Sequence, residues 1–215
     1  MWALAIETTS THGSVALLRG DALQRQIALS SPYSTGLFAA VEATLQQTGI
    51  RLSDIALFAV ADGPGSFTGV RVGLAAVKGW VEVLQRPAVS VSTLRAVAAG
   101  APGLAALDAG RGEVYFGSYA ETGGQESGEE DEGEEGIESL EAFCRRAAAW
   151  QGPVLTPHAA IAAACPQARA VEPLLAANVG RLGLASWRRG KRWDALSLDA
   201  RYLRRSDAEV PLGRK

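Results

Sequence analysis

Few side chains in this chain of 215 residues combine a type and a spacing that could do chemistry. The two histidines, His12 and His158, are far apart in sequence and have no neighbouring ligand types. His12 reads as a turn residue, and His158, after Pro157, as a residue at a helix start. Cys144 and Cys165 lack metal spacing and are too few for a disulfide framework. A carboxylate followed by three hydroxyls, Glu7-Thr8-Thr9-Ser10, lies between two apolar runs, where hydroxyls can satisfy the backbone donors of their own turn. Asp108, Arg111 and Glu113 surround a glycine-rich turn and read either as a partner or ligand contact or as the solvated tip of a tight hairpin. No nucleophile, base and orienting acid can be placed together.

The elements that must position these groups are clearer. Residues 2–6, 13–18 and 22–29 read as a three-stranded meander, and residues 35–48 as a helix closed by Gly49, with Leu37, Phe38, Val41 and Leu45 on one face and the small residues Gly36, Ala40 and Ala43 toward the other. A buried strand over Ile55-Ala61 feeds the stretch from Asp62 to Gly79, where a Gly-Pro-Gly turn precedes a helix that Ser66 or Thr68 can cap. Val70, Leu74, Val77, Val81 and Leu84 define its inner face. Thr68, Val72, Ala75 and Gly79, flanked by Arg71 and Lys78, line the opposite one, where a solvated helix would carry charge. Glycine inside a helix costs roughly 0.5–1 kcal/mol relative to alanine, and Gly69, Gly73 and Gly79 all lie in this one. The small face predicts either docking on a partner subunit or burial between two layers of the chain's own domain. Further on, residues 87–92 form a strand, residues 93–100 a short helix, residues 104–108 and 113–119 a hairpin, and residues 137–150, 159–164 and 173–189 helices, the last sealing a second domain.

Hydrophobic content of 47% and charged content of 20% are those of a globular protein. No apolar run reaches the roughly 18 residues of a membrane span and no signal core opens the chain, so a cytoplasmic protein is expected. Net charge is −2, but residues 121–136 hold eight acids and no base, whereas residues 181–215 hold ten bases against four acids. The acidic segment predicts a solvated loop that repels RNA; the basic tail, interleaved with Trp193 and Tyr202, predicts a structural return to the body or, second, an RNA contact.

The string G-P-G-S-F-T-G-V-R-V-G-L-A-A-V-K-G over residues 63–79 resembles the signature of the TsaB (YeaZ) family, the bacterial partner proteins of the machinery that makes threonylcarbamoyladenosine in tRNA. A-L-D-A-G-R-G-E-V-Y-F resembles that family's second-domain opening, and Arg201-Tyr202-Leu203-Arg204 its ending, with Ala200 where the family has proline. The resemblance implies an α/β, two-lobed fold of the actin, sugar kinase and Hsp70 (ASKHA) superfamily with a reduced second lobe, the lobes spanning residues 1–101 and 102–215. In that superfamily an opening hairpin wraps the phosphates of ATP. Glu7, Thr8, Thr9 and Ser10 occupy its place here, although no glycine appears before Gly13. The catalytic paralogue TsaD binds a metal through two histidines at i, i+4, and residues 32–36 of this chain hold none. The resemblance therefore implies a non-catalytic scaffold that pairs with a TsaD-like paralogue through Gly36, Ala40, Ala43, Thr68, Arg71, Val72, Ala75, Lys78 and Gly79. It further implies a TsaE-like ATPase, ATP or ADP at the assembled interface rather than tightly held by this chain, indirect contact with tRNA, and a homodimer when alone. The alternatives are an ATPase or glycoprotease-like peptidase acting alone, and a free-standing RNA-binding module.

Overall fold

Alternating large and small apolar residues decide how the first sheet is used. In Trp2–Glu7 (β1), Leu4 and Ile6 point to one face and Ala3 and Ala5 to the other, and all four are fully buried. The computed structural model describes residues 1–119 and 133–204. In it β1 lies between Ser14–Arg19 (β2) and Ile55–Gly63 (β4), with Ala22–Ala28 (β3) and Ala88–Ser92 (β5) at the edges. The β1–β2 and β2–β3 pairs are antiparallel, and β1–β4 and β4–β5 are parallel. Three helices come from the same stretch of chain: Tyr33–Thr48 (α1), Phe67–Leu84 (α2) and the short Thr93–Val97 (α3).

The second sheet repeats the first. Gly103–Gly110 (β6) is central, between Glu113–Tyr119 (β7) and Val154–Thr156 (β9), with Glu134–Ser139 (β8) and Ala168–Ala170 (β10) outermost. Counted within each lobe, both sheets run 3-2-1-4-5, with the same parallel and antiparallel pairings. This duplicated α/β arrangement is the two-lobed pattern expected, reduced in the second lobe, where β9 and β10 have three residues each. Leu140–Ala149 (α4) and Ala159–Ala164 (α5) pack there with Phe143 and Ile161 buried.

The last helix, Ala176–Arg188 (α6), corrects one expectation. It does not seal the second lobe's own core but lies on the first sheet, on the small-residue face of β1, β2 and β4. Helical periodicity announces an apolar face and says nothing about which sheet receives it. The fit depends on two glycines. A Cβ on Gly180 would stand 2.4 Å from Leu18 Cδ1, and one on Gly183 would stand 2.7 Å from Ala59 Cβ. The α1 and α2 helices cover the opposite, large-residue face around Phe58 and Val60. The first sheet is thus buried on both sides, one covering being supplied from beyond the second sheet.

The acidic segment differs as well. Glu134, Glu135 and Gly136, expected in a solvated loop, belong to β8 and pair with β7, while residues 121–132 lie outside the described residues. β8 and β10 were not expected from the sequence, and the helix expected from Ile137 starts after Ser139, whose hydroxyl caps it. Ladder pairing and a buried contact from Glu135, described below, outweigh the charged composition. Among the described residues no helix is long and apolar enough to cross a membrane.

The two kinds of helical glycine predict opposite outcomes. Gly183→Val should lower stability by about 1–3 kcal/mol, because the strand it would strike cannot move aside. Gly79 has open space around it, and Gly79→Ala should raise stability by about 0.5–1 kcal/mol through helix propensity. Urea denaturation of the two variants checks both; equal effects would contradict this packing.

Candidate functional site

Glu7 ends β1 and is fully buried. Its Oε1 accepts from Thr9 N at 2.5 Å, the Thr9 hydroxyl at 2.7 Å and Ser10 N at 2.9 Å, and its Oε2 accepts from the Ser10 hydroxyl at 2.9 Å. Burial pushes its pKa up, and these four donors act in the opposite sense. The backbone donors that would cradle a phosphate at this turn are therefore already given to the chain's own carboxylate. Thr8 and Thr9 are engaged too. The Thr8 hydroxyl donates to Gly69 O at 2.7 Å, Thr9 O accepts from Ser66 N at 2.7 Å, and the hydroxyls of Thr9 and Thr93 lie 2.9 Å apart. The residues Glu7, Thr8, Thr9 and Ser10 do not fit a nucleotide phosphate in this arrangement; they fit a lock that fastens the turn to α2.

That lock fixes α2. A Cβ on Gly69 would fall 1.9 Å from Thr8 O, and one on Gly73 would fall 2.4 Å from Thr8 Oγ1, so two of the three helical glycines serve internal close approach. The Ser66 hydroxyl caps the helix by accepting from Gly69 N at 3.2 Å. With Val70, Leu74, Val77 and Val81 turned inward, Thr68, Arg71, Ala75 and Gly79 are exposed and Val72 and Lys78 half-buried, all on one outer face. The six α2 residues named from the sequence thus share one accessible surface, continued by Val83 at 80% exposure.

On α1 the assignment is reversed. Gly36 and Ala40 are buried against the chain's own structure, with a Cβ on Gly36 only 2.0 Å from Ser30 O, and Ala43 is half-buried. Phe38, expected in the core, is 53% exposed and meets Trp80 of α2 edge-on at 6.0 Å. The small side chains bring α1 close to β2 and β3, and the rotation that this demands turns Phe38 outward.

The second surface is the cleft between the lobes, a cavity of about 990 Å³ that Ser10, Tyr33, Thr68, Asp108, His158 and Arg201 help to line. At its inner side Asp62 and Arg201 meet. Asp62, at the end of β4, is buried. Its Oδ1 lies 3.5 Å from Arg201 Nε but receives no hydrogen bond, and its pKa is pushed by burial from 3.8 up to about 6 against the pull of Arg201. Arg201 also reaches Glu135 of the other lobe at 3.4 Å, and Glu135 in turn accepts from the hydroxyls of Ser92 and Tyr119. Arg204 pairs with Glu113 and donates to Ala109 O at 2.9 Å. Residues 193–204 therefore run back along the body and tie the two lobes together. This is the structural return to the body expected of the tail, although neither Asp62 nor Glu135 was expected as its partner.

The hairpin tip expected as a contact is partly committed inward. Asp108 accepts from Gly110 N at 2.7 Å, Glu113 holds Arg204, and Gly110, Arg111 and Gly112 all take left-handed backbone angles, φ 73°, 59° and 77°. Burial lowers the His158 pKa, Asp108 raises it and His12 lowers it further. Among the described residues no group of three histidine, cysteine or carboxylate side chains is placed to hold a metal. Tyr202 stacks on Phe67 at 5.3 Å, and its hydroxyl accepts from Arg71 Nε at 3.1 Å, so the returning tail also borders the outer face of α2.

Residues 28–144 match the family model described as TsaD, tRNA N6-adenosine threonylcarbamoyltransferase. The chain is 36% identical over 127 residues to the tRNA threonylcarbamoyladenosine biosynthesis protein TsaB of Escherichia coli, and 35% identical over 126 residues to that of Bacillus subtilis. Each match covers 55% of this chain and 55% of the relative, so the chain spans about half the length of the curated relatives it matches. The solved structure of YeaZ from Pseudomonas aeruginosa is similar over 94% of this chain and 99% of that one, with a TM-score of 0.75 at 28% identity.

The charge cluster at the base of the cleft predicts a pH dependence with a definite sign. Asp62 is easier to protonate folded than unfolded, so the folded state binds more protons between about pH 4 and 6, and the stability Asp62 contributes falls as pH rises through that window. Asp62→Asn should therefore gain on the parent by about 3 kcal/mol between pH 4 and 7. Denaturation of both proteins across that range measures it; a difference independent of pH would contradict the assignment.

Proposed function

The chain belongs to the family described by the TsaD model, on its TsaB/YeaZ side, and from that premise we propose that it is the non-catalytic subunit of a tRNA threonylcarbamoyladenosine-forming assembly. In this reading it pairs with a TsaD-like paralogue that transfers a threonylcarbamoyl group to N6 of the adenosine beside the anticodon. The observation that carries the proposal is the outer face of α2. It presents Thr68, Val72, Ala75 and Gly79 in one row, and Gly79 has nothing of its own chain within 4 Å of a Cβ position. A glycine that weakens a helix without easing any internal contact is explained by a second backbone approaching from outside. Phe38 and Trp80 extend the row with aromatic surface, the residue class enriched at the centres of protein interfaces.

An enzyme acting alone finds less support. Catalysis through Glu7 would require its carboxylate to give up four hydrogen bonds and enter a cleft from which it is sealed. The proposal places the nucleotide, and the TsaE-like ATPase that handles it, at the assembled interface and not at the Glu7 turn. It also places the working protein in the cytoplasm, where tRNA is modified.

The test is pairing. Analytical ultracentrifugation of this protein with its TsaD paralogue should show a complex, and Ala75→Glu with Gly79→Glu should weaken it by about 100-fold or more, because two charges would be buried without partners. Val70, Leu74 and Val77 are untouched, and circular dichroism verifies that the variant remains folded. A folded variant that pairs like the parent would remove α2 from the interface, and a parent that does not pair would remove the scaffold role.

A further inference from the structure

Positive charge collects at the end of the first lobe that faces away from the cleft. β1 begins there at Trp2, paired with Arg19 at the end of β2. The C-terminal ends of α2 and α6 arrive at the same end. The first leads through Arg86 into β5; the second finishes at Arg188 and Arg189, followed by Lys191 and Arg192. Two contacts hold these ends together. Arg188 grips Asp21, in the β2–β3 turn, through two hydrogen bonds of 2.9 and 3.0 Å, and Trp193 pairs with Ala88 at the start of β5. The Arg19 guanidinium lies 5.6 Å from the Trp2 ring centroid.

Two of the four acids in this region are paired, Asp21 with Arg188 and Asp54 with Arg51; Asp194, which accepts from Ser197 and Leu196, and Glu82, one turn back on α2, keep their charge, so the bases outnumber the acids without being free of them. Arg19, Arg86, Arg189 and Arg192 have no carboxylate partner among the described residues. A helix C-terminus attracts a base or two through its dipole, but Arg19 ends a strand and Arg192 lies beyond α6. Glu134 and Glu135 lie in β8 of the other lobe.

We propose that this pole is a direct contact for the sugar-phosphate backbone of RNA, and that in the working assembly the RNA is the tRNA being modified. The identity of that RNA rests on the function proposed above; the polyanion chemistry does not. Guanidinium groups outnumber ammonium groups here five to one, as suits phosphate recognition. The half-buried indoles of Trp2 and Trp193 offer stacking surface beside them. The contact reads charge rather than sequence. It adjoins only the last turn of α2, away from Thr68, Val72 and Ala75 of the outer row.

Fluorescence anisotropy with an unmodified tRNA transcript tests this, using the full chain alone and mixed with its TsaD paralogue. Affinity of the isolated chain should fall log-linearly as salt rises from about 50 to about 200 mM, with a slope that grows with the number of phosphates contacted. Arg189→Glu with Arg192→Glu should weaken binding at low salt by about tenfold or more and flatten the slope, and the milder Arg189→Gln with Arg192→Gln should lose less. Pairing with the paralogue, measured on the same samples, should be unchanged. If the charge-reversed protein pairs normally and binds tRNA like the parent, the pole is not an RNA site and the scaffold role stands. If the parent does not pair yet the isolated chain shows the salt-dependent, Arg189- and Arg192-dependent affinity, the scaffold role fails and the pole is upheld. Loss of binding to vesicles rich in phosphatidylserine, with tRNA binding intact, would assign the pole to membranes and overturn the proposal.

Discussion

The approach of α2 to the turn after β1 is the contact on which the rest of the first lobe depends. Gly69 and Gly73 remove the two side chains that would collide with Thr8, and the Thr8 hydroxyl then closes onto Gly69 O at 2.7 Å. The turn can offer itself to the helix because Glu7 organises it from within, gathering two amides and two hydroxyls around one buried carboxylate. A buried carboxylate is costly unless its oxygens are satisfied, and here the same bonds that satisfy it set the turn's shape. Once α2 is held at both Ser66 and Gly73, its rotation is fixed, and with it the identity of the residues left outside.

How much of this could be read from residues alone differs from element to element. The first-lobe strands and α2 were legible because continuous apolar runs and a capped, periodic helix leave little choice of period. The six α2 residues on the outer face followed from that period. The face of α1 is ambiguous in sequence because Gly36 and Ala40 suit a surface left open to a partner and are equally what a helix needs to sit close to its own strands, the use the fold makes of them. β8 was hidden by glutamates, one of which, Glu135, is a buried acceptor in the finished fold. Asp62 and Arg201 meet only through tertiary structure. Nothing local in either segment announces the other.

The charge cluster at the base of the cleft has a different character from the Glu7 lock. Glu7 is saturated by uncharged donors, whereas Asp62 has a half-exposed guanidinium beside it and an oxygen without a hydrogen bond. Such a pair is weak evidence for stability, but it joins groups from three separate parts of the chain. Arg201 therefore joins the two lobes, and Arg204 anchors the same segment to the second lobe at Glu113.

The return of α6 to the first sheet has a consequence for how the protein is made. When residues 1–92 have left the ribosome, all five strands of that sheet exist, yet Ala5, Leu18 and Ala59 still face water, because the helix that covers them is synthesised only after the whole second sheet. The first lobe cannot complete its core as a vectorially emerging unit. During synthesis its alanine-lined face is an exposed apolar sheet surface, and the interval between translating β5 and translating α6 is when the nascent chain most needs protection from association.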